Sequence, residues 1–441
     1  MSDGTQKETA PIDDIKLDAV IVDEDDIQQE IAEVEGVALA RLEDSSLTGV
    51  FRGWWRRVQV GDIGSLPIII GLVGIAIIFG LAEPLFFSSR NFVNLLLQMA
   101  GIATIAIGVV FVLLIGEIDL SIGYVSGVAA VVMVLLLRPD VQNLSWPLAI
   151  GIALLAAIII GFLQGTIITK TGAHSFVVTL AGLLVWSGVV LILTTVYSTA
   201  GTIVIQNDVV VGIANEFLPP LWGWILWGVT IALFAFMRIS RRRALQRQKL
   251  PTGPILILVV QLVGLALITA FALWYANRDR GLPVVFVIVW VFLLFWTFIA
   301  NRTRFGRYVY AVGGNLEAAR RAGISVDRIR VTVFMITSFM AGVGGIILAS
   351  RLRSVDTATG GGNLMLNAIA AAVIGGTSLF GGVGFVMSAL LGALIIASVE
   401  NGMGLLGLPS GVKFVINGLV LLAAVLLDAI TRRRRQASGI V

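Results

Sequence analysis

The chain has 441 residues, 57% of them hydrophobic and 13% charged, with 49 glycines and no cysteine. That balance lies far from a soluble average and points to an all-α polytopic membrane protein, and it excludes a disulfide framework or a thiolate metal centre. The net charge of +4 joins two unlike parts: residues 1–50 hold 14 acidic against three basic residues, a net −11, while the remainder holds 28 basic and 13 acidic, a net +15.

Residues 1–62 read as an acidic cytoplasmic tail ending in an interfacial anchor. They lack the basic start and apolar stretch of a secretory leader. The run Asp23-Glu24-Asp25-Asp26 leads into Ile27, Ile31, Val34 and Ala38, which share one face if the segment is helical, but its charge favours a solvated, partly disordered tail. Trp54, Trp55, Arg56 and Arg57 combine indole and guanidinium as membrane interfaces do.

Residues 63–431 form the expected transmembrane domain. Apolar runs at about 66–82, 94–115, 118–137, 147–168, 176–196, 221–237, 255–275, 284–300, 331–349, 364–380, 384–402 and 412–428 give about twelve helical spans, within a range of 10–13. The Ala- and Gly-rich run at 364–380 is a candidate re-entrant segment, and Val209 to Ile213 a candidate half-helix on the outside. The pair 221–237 and 255–275 reads as peripheral, with Trp222, Trp224, Trp227 and Trp274 near span ends. An even number of spans places both termini on one side. Arg52, Arg56 and Arg57, then Arg238 to Lys249, residues 301–330 and Arg432 to Arg435 all fall on that side, which the positive-inside rule makes the cytoplasm. Residues 432–441 are then a basic cytoplasmic C-terminal tail.

Two glycine-rich breaks interrupt the apolar pattern. Gly116-Glu117-Ile118-Asp119-Leu120-Ser121-Ile122-Gly123 leaves carboxylates at or near membrane depth, where ionisable groups are costly and mark candidate pathways. Glu117, Asp119 and Ser121 are therefore candidates for the translocation pathway; helix capping by Asp119 and Ser121 is the competing reading. The second break, Gly375 to Gly384, echoes the first and adds Gly376, Thr377 and Ser378 to the candidates. The pairs Gly123/Gly127 and Gly161/Gly165 read as close helix packing. His174 stands alone in a short turn beside Lys170 and Ser175, with no second histidine to build a zinc site with and no His cluster for a Ser/His hydrolase. Glu400 and Lys413 flank the outside loop around Gly407 to Gly411 and read as helix-end charges rather than ligands.

The polar stretch 301–330 carries seven arginines against Glu317 and Asp327. Each arginine would cost about 2.5–3.5 kcal/mol at a bilayer centre. Inside it, Asn315 can cap a short helix, Glu317 suits its positive end, Arg320 and Arg321 its negative end, and Gly323 the left-handed exit, with Gly313 and Gly314 as the turn leading in. Two turns cannot stand alone in water, so packing must order them. Ala318 and Ala322 share a face that admits a partner backbone.

Glu317-Ala318-Ala319, followed by Gly323, resembles the EAA loop of ABC importer permeases. The wider segment Gly306-Arg307-Tyr308, Gly313-Gly314-Asn315 and Ala322-Gly323-Ile324 is similar to the ribose- and xylose-type monosaccharide permeases, as are the segments around Asp119-Leu120-Ser121 and Gly375-Gly376-Thr377-Ser378. Glu117 departs from that pattern, where glycine is common. The resemblance spans roughly 66–430. It implies a coupling helix, with Gly314, Asn315, Glu317, Ala318, Ala319, Arg320 and Gly323, that docks on a separate ATP-binding subunit. It further implies a permease homodimer and a periplasmic or surface-anchored sugar-binding protein delivering a pentose such as xylose. Membrane lipid is the surrounding partner and no nucleic acid is expected.

The five lysines follow Gln6, Ile15, Thr169, Gln248 and Val412, never glycine, so no P-loop is present and any ATP chemistry belongs to another chain. No cofactor is expected, and the absence of paired nucleophile and base excludes an intramembrane enzyme. An ion-coupled secondary transporter, which also needs broken helices and buried carboxylates, stays open on the residues alone.

Overall fold

The computed structural model describes residues 66–248 and 254–437. The acidic segment 1–62 and the Trp54–Arg57 anchor lie outside the described residues. All the apolar runs become helices, joined by short connections: α1 (Leu66–Ala82), a 3-10 turn (Pro84–Phe87), α2 (Ser89–Leu114), α3 (Ile122–Leu137), α4 (Trp146–Thr171), α5 (Ser175–Tyr197), α6 (Asp208–Asn215), α7 (Pro220–Arg247), α8 (Ile255–Ala276), α9 (Val284–Arg302), α10 (Arg304–Gly314), α11 (Leu316–Arg321), α12 (Val326–Leu352), α13 (Leu364–Ile374), α14 (Ser388–Leu405) and α15 (Ser410–Ala437). Eight of them, α2, α4, α5, α7, α8, α9, α12 and α14, are long and apolar enough to cross a membrane. Four shorter apolar helices, in α1, α3, α13 and α15, complete the set of expected runs.

Three details depart from the expectation. Four short strands break the all-α pattern: β1 (Thr202–Val204) pairs antiparallel with β4 (Ser354–Asp356), and β2 (Phe217–Leu218) with β3 (Leu282–Pro283). Helix α10 occupies the first half of what reads as a loop. Helix α15 continues to Ala437, into the stretch expected as a C-terminal tail.

Helices α2 and α12 form the centre. In each, the most apolar 18-residue stretch is largely buried inside the protein, 89% for α2 and 72% for α12, whereas the corresponding stretches of α7 and α8 are 6% and 0% buried. The pair α7 and α8 therefore exposes its apolar side chains, Trp222, Val229, Phe236, Val260 and Phe271 among them, where lipid would contact them. Small residues let the central helices approach closely. A methyl added at Gly161 would lie 2.5 Å from the Phe334 carbonyl oxygen, and one at Gly345 would lie 2.0 Å from that of Ser126. Gly127 plays the same part for the turn after β4, where a methyl would meet the Thr359 carbonyl oxygen at 2.2 Å. Gly161 and Gly165 thus pack helix on helix as read, the latter with a methyl 2.9 Å from Val331 Cα, whereas Gly123 and Gly127 make room for the backbone of Thr359 and Gly360, which is not helical.

Polar clasps reinforce the bundle. The Asn91 amide donates to Asn401 Oδ1 at 2.8 Å and the Asn401 amide returns a bond to Asn91 Oδ1 at 2.9 Å, pinning α2 to α14 with both side chains buried. Thr337 Oγ1 donates to the Gly108 carbonyl at 3.1 Å. A short helix forms where one was expected, α6 over Val209–Ile213 and its flanks, docked on the end of α12 through Ala214 N–H to Ser350 Oγ at 2.9 Å.

Candidate functional site

Helix α11 begins where expected. Asn315 is its N-cap and Oδ1 accepts from the Ala318 amide at 2.9 Å, while Gly323 takes the left-handed conformation at φ +82° that ends the segment. Glu317 ion-pairs with Arg321 at 3.4 Å and more loosely with Arg320 at 3.9 Å, all three exposed. Ala319 is buried and holds the helix against the protein, whereas Ala318, Ala322 and Gly323 face outward. The result is a short, capped helix whose outward side presents Ala318, Ala322 and Gly323 beside the exposed charges of Glu317, Arg320 and Arg321.

Gly313 and Gly314 are corrected from their expected place: they are the last residues of α10, not a lead-in turn. Thr303 caps α10 by accepting from the Gly306 amide at 3.2 Å. The reason glycine stands at 313 is contact. A methyl there would lie 1.7 Å from the Leu114 carbonyl oxygen and 2.7 Å from the Gly382 amide nitrogen. The Gly382 amide itself donates to the Leu114 carbonyl at 2.9 Å. A methyl at Gly381 would lie 2.9 Å from both the Gly116 amide nitrogen and the Gly313 carbonyl oxygen. Gly116 (φ +74°), Gly381 (φ +86°) and Gly382 (φ +74°) all occupy conformations that favour glycine. The two breaks and the end of α10 thus meet backbone to backbone, and Tyr310 Oη adds a bond to the Gly384 carbonyl at 2.8 Å.

The candidate pathway residues divide around this junction. Glu117 forms an ion pair with Arg330 in the first turns of α12, both side chains largely buried at 12% and 18% exposure, so it ties the first break to the segment that follows α11. Asp119 turns inward: it is 1% exposed, and Oδ1 accepts from the Ser121 amide at 2.9 Å and from Ser121 Oγ at 2.7 Å. Ser121 Oγ also lies 3.0 Å from the Gln164 amide nitrogen, on α4. Ser121 stands at the N-cap position of α3, yet its side chain makes no capping bond, so capping by that hydroxyl is not what it does. Asp119 Oδ2 is buried without a partner. In the second break Gly376 is exposed at φ +98°, Thr377 is fully buried with its hydroxyl unpaired, and the Ser378 amide donates to the Val383 carbonyl at 2.9 Å. Sequence reasoning missed Gln164 and Arg330. Gln164 sits inside an expected span and Arg330 at the end of the polar stretch 301–330, and only packing reveals the partner of either.

Among the described residues no cluster of three or more His, Asp or Glu side chains is placed to hold a metal ion. His174 precedes α5 as its N-cap residue without a side-chain capping bond.

A helical bundle of this length and apolarity, with broken helices gathered under a capped external helix, is the architecture of a membrane transport subunit. The chain matches the family described as branched-chain amino acid transport system / permease component over residues 91–425, and it belongs to that family. Within it the resemblance to the ribose- and xylose-type permeases stands. The chain is 38% identical to the xylose transport system permease protein XylH of Escherichia coli over 353 residues, covering 79% of this chain and 87% of that protein. The Haemophilus influenzae xylose transport system permease is 33% identical, covering 84% and 98%. The ribose import permease RbsC of the same organism is 32% identical, covering 81% and 91%. No solved structure matches the chain. These relatives are transport permeases, which does not favour the ion-coupled alternative.

Proposed function

We propose that this chain is the membrane subunit of an ATP-driven importer that carries a monosaccharide, xylose or another pentose, across the bacterial cytoplasmic membrane. Residues 63–431 are the translocating domain, with about twelve crossings, both termini in the cytoplasm, and the acidic and basic tails, 1–62 and 432–441, extending from it. Two copies pair, two ATP-binding subunits dock on their α11 helices, and a periplasmic or surface-anchored sugar-binding protein delivers the solute to the opposite face. The names of the relatives support the sugar. The observation that carries the coupling role is the backbone junction of Gly313 with Leu114 and Gly381–Gly382.

That junction supplies a physical route. A capped helix seated on the core through Ala319 and the half-buried Leu316 moves as a unit with α10, and α10 has no compressible side chain between its end and the two breaks. Closure of the ATP-binding subunits would therefore displace both breaks together, and Glu117–Arg330 would carry the start of α12 with them. Glu117, Asp119, Ser121, Gly376, Thr377 and Ser378 belong to the segments whose rearrangement alternates access. The chain itself needs no cofactor for this.

The test is co-purification with the ATP-binding subunits. Wild type should retain them in mild detergent, and Glu317→Lys should lose them while folding normally, since Glu317 is 60% exposed. Failure of the wild type to recover any ATP-binding subunit would overturn the reading. Uptake competition among pentoses, hexoses and branched-chain amino acids identifies the solute.

A further inference from the structure

Glu400 and Lys413, read from sequence as helix-end charges, line a cavity of about 370 Å³, Lys413 from the first turn of α15 and Glu400 from within α14. Gln98 of α2, Arg351 of α12, Asn363 ahead of α13, Glu400 of α14, and Lys413 and Asn417 of α15 line it, with the Phe414 ring at its edge. The volume lies near the lower end of the range for small-molecule sites, roughly 300–1,000 Å³. From Val326 to Arg351, at about 1.5 Å per residue, α12 rises roughly 38 Å, so the cavity opens at the end of the bundle away from α11.

Charges in spanning helices are expensive unless paired or used. None of Arg351, Glu400 and Lys413 forms an ion pair among the described residues. Glu400 is nonetheless positioned: Oε1 accepts from the Asn367 amide at 2.5 Å, and Asn367 is 6% exposed. A buried amide thus orients the carboxylate, a second amide, Asn417 on the cavity wall, also hydrogen-bonds it, and Arg351 and Lys413 act on it as nearby positive charges.

The donor and acceptor inventory selects the ligand. Arg351 and Lys413 only donate, Glu400 only accepts, and Gln98, Asn363 and Asn417 do both. A cation would face Arg351 and Lys413, and an anion would face Glu400. A neutral polyol, whose hydroxyls each donate and accept, meets every wall without an opposed charge, and the half-exposed Phe414 ring suits the C–H face of a sugar. We infer that this cavity is an entry-side recognition station for neutral monosaccharides, contacted before the solute reaches the broken helices. The inference rests on the importer reading and adds to it a place of recognition inside the permease.

The test uses the complete transporter in proteoliposomes, with its ATP-binding subunits and saturating sugar-binding protein, comparing Glu400→Gln, Asn417→Ala and Lys413→Gln with wild type. Labelled xylose and ribose uptake are measured over a range of concentrations, alongside recovery of the ATP-binding subunits. Loss of a hydrogen bond to a hydroxyl predicts a fall of about tenfold in uptake. The ratio of xylose to ribose uptake should also shift in at least two of the variants, with subunit recovery unchanged. A merely structural role would lower both sugars equally and leave the ratio alone. Wild-type rates and ratio in Asn417→Ala and Lys413→Gln would overturn the site whether or not Glu400→Gln assembles, and would leave the importer reading standing. Stronger competition by a sugar acid than by the neutral pentose would overturn the assigned ligand class. Failure of the wild-type complex to assemble strikes the importer reading instead.

Discussion

A methyl at Gly313 would meet the Leu114 carbonyl oxygen at 1.7 Å, whereas one at Gly314 meets nothing within 4 Å. Gly313→Ala therefore has to push α10 off the two breaks. Overpacking of this kind costs about 1–3 kcal/mol, and a clear drop in the melting temperature of the detergent-solubilised protein should accompany loss of uptake. Gly314→Ala should leave the melting temperature where it was. Equal effects of the two substitutions would remove the junction as the reason for glycine at 313. The Asn91–Asn401 clasp gives a second residue-scale test. Asn91→Ala strands a buried amide and should cost about 1–2 kcal/mol. The double variant Asn91→Ala/Asn401→Ala should cost less than the two single changes together, which melting of all four proteins would measure. Neither effect is legible in the sequence, because a glycine or asparagine in an apolar run does not declare its neighbour.

Helix α11 was legible because its signals are local: a cap at Asn315, charges ordered along the dipole, and a left-handed residue at Gly323 all lie within ten positions. Helix α10 was masked, although Phe305, Val309 and Val312 recur at helical spacing, because it lies within an arginine-rich polar connection and is held by contacts with α2 and the second break. The same applies to the Glu117–Arg330 pair, which joins residues 213 apart in sequence. Glu117→Gln leaves a largely buried guanidinium without its partner and should destabilise by about 3 kcal/mol, read as a lower melting temperature. Adding Arg330→Met should recover most of it. If the double variant melts no higher than Glu117→Gln alone, the pair is not what holds the first break to α12.

Across the molecule, α7 and α8 hang outside a core built from α2, α12, α14 and their neighbours. Residues Leu218 and Leu282, on either side of this pair, are directly opposite in the β2–β3 register. Removing 219–281 and closing the gap with an Asn-Gly turn should therefore preserve that hairpin and keep an even number of spans. The shortened chain is expected to insert, retain its ATP-binding subunits and import sugar. Loss of subunit recovery after this deletion would mean that the pair supports the coupling surface and is not peripheral.

The runs of apolar residues and the basic connections determined by themselves where the helices form, because in lipid each spanning segment must satisfy its own backbone locally and arginine-rich connections must stay in water. The capped α11 came from the same kind of short-range physics. Only the tertiary structure decided that the two glycine breaks meet at Gly313, that Glu117 finds Arg330, that Asp119 turns inward to Ser121, and that Glu400 lines a cavity with Arg351 instead of ending a helix. Those outcomes depend on how closely backbones can approach across helices distant in sequence, and close approach is a property of the packed bundle rather than of any segment within it.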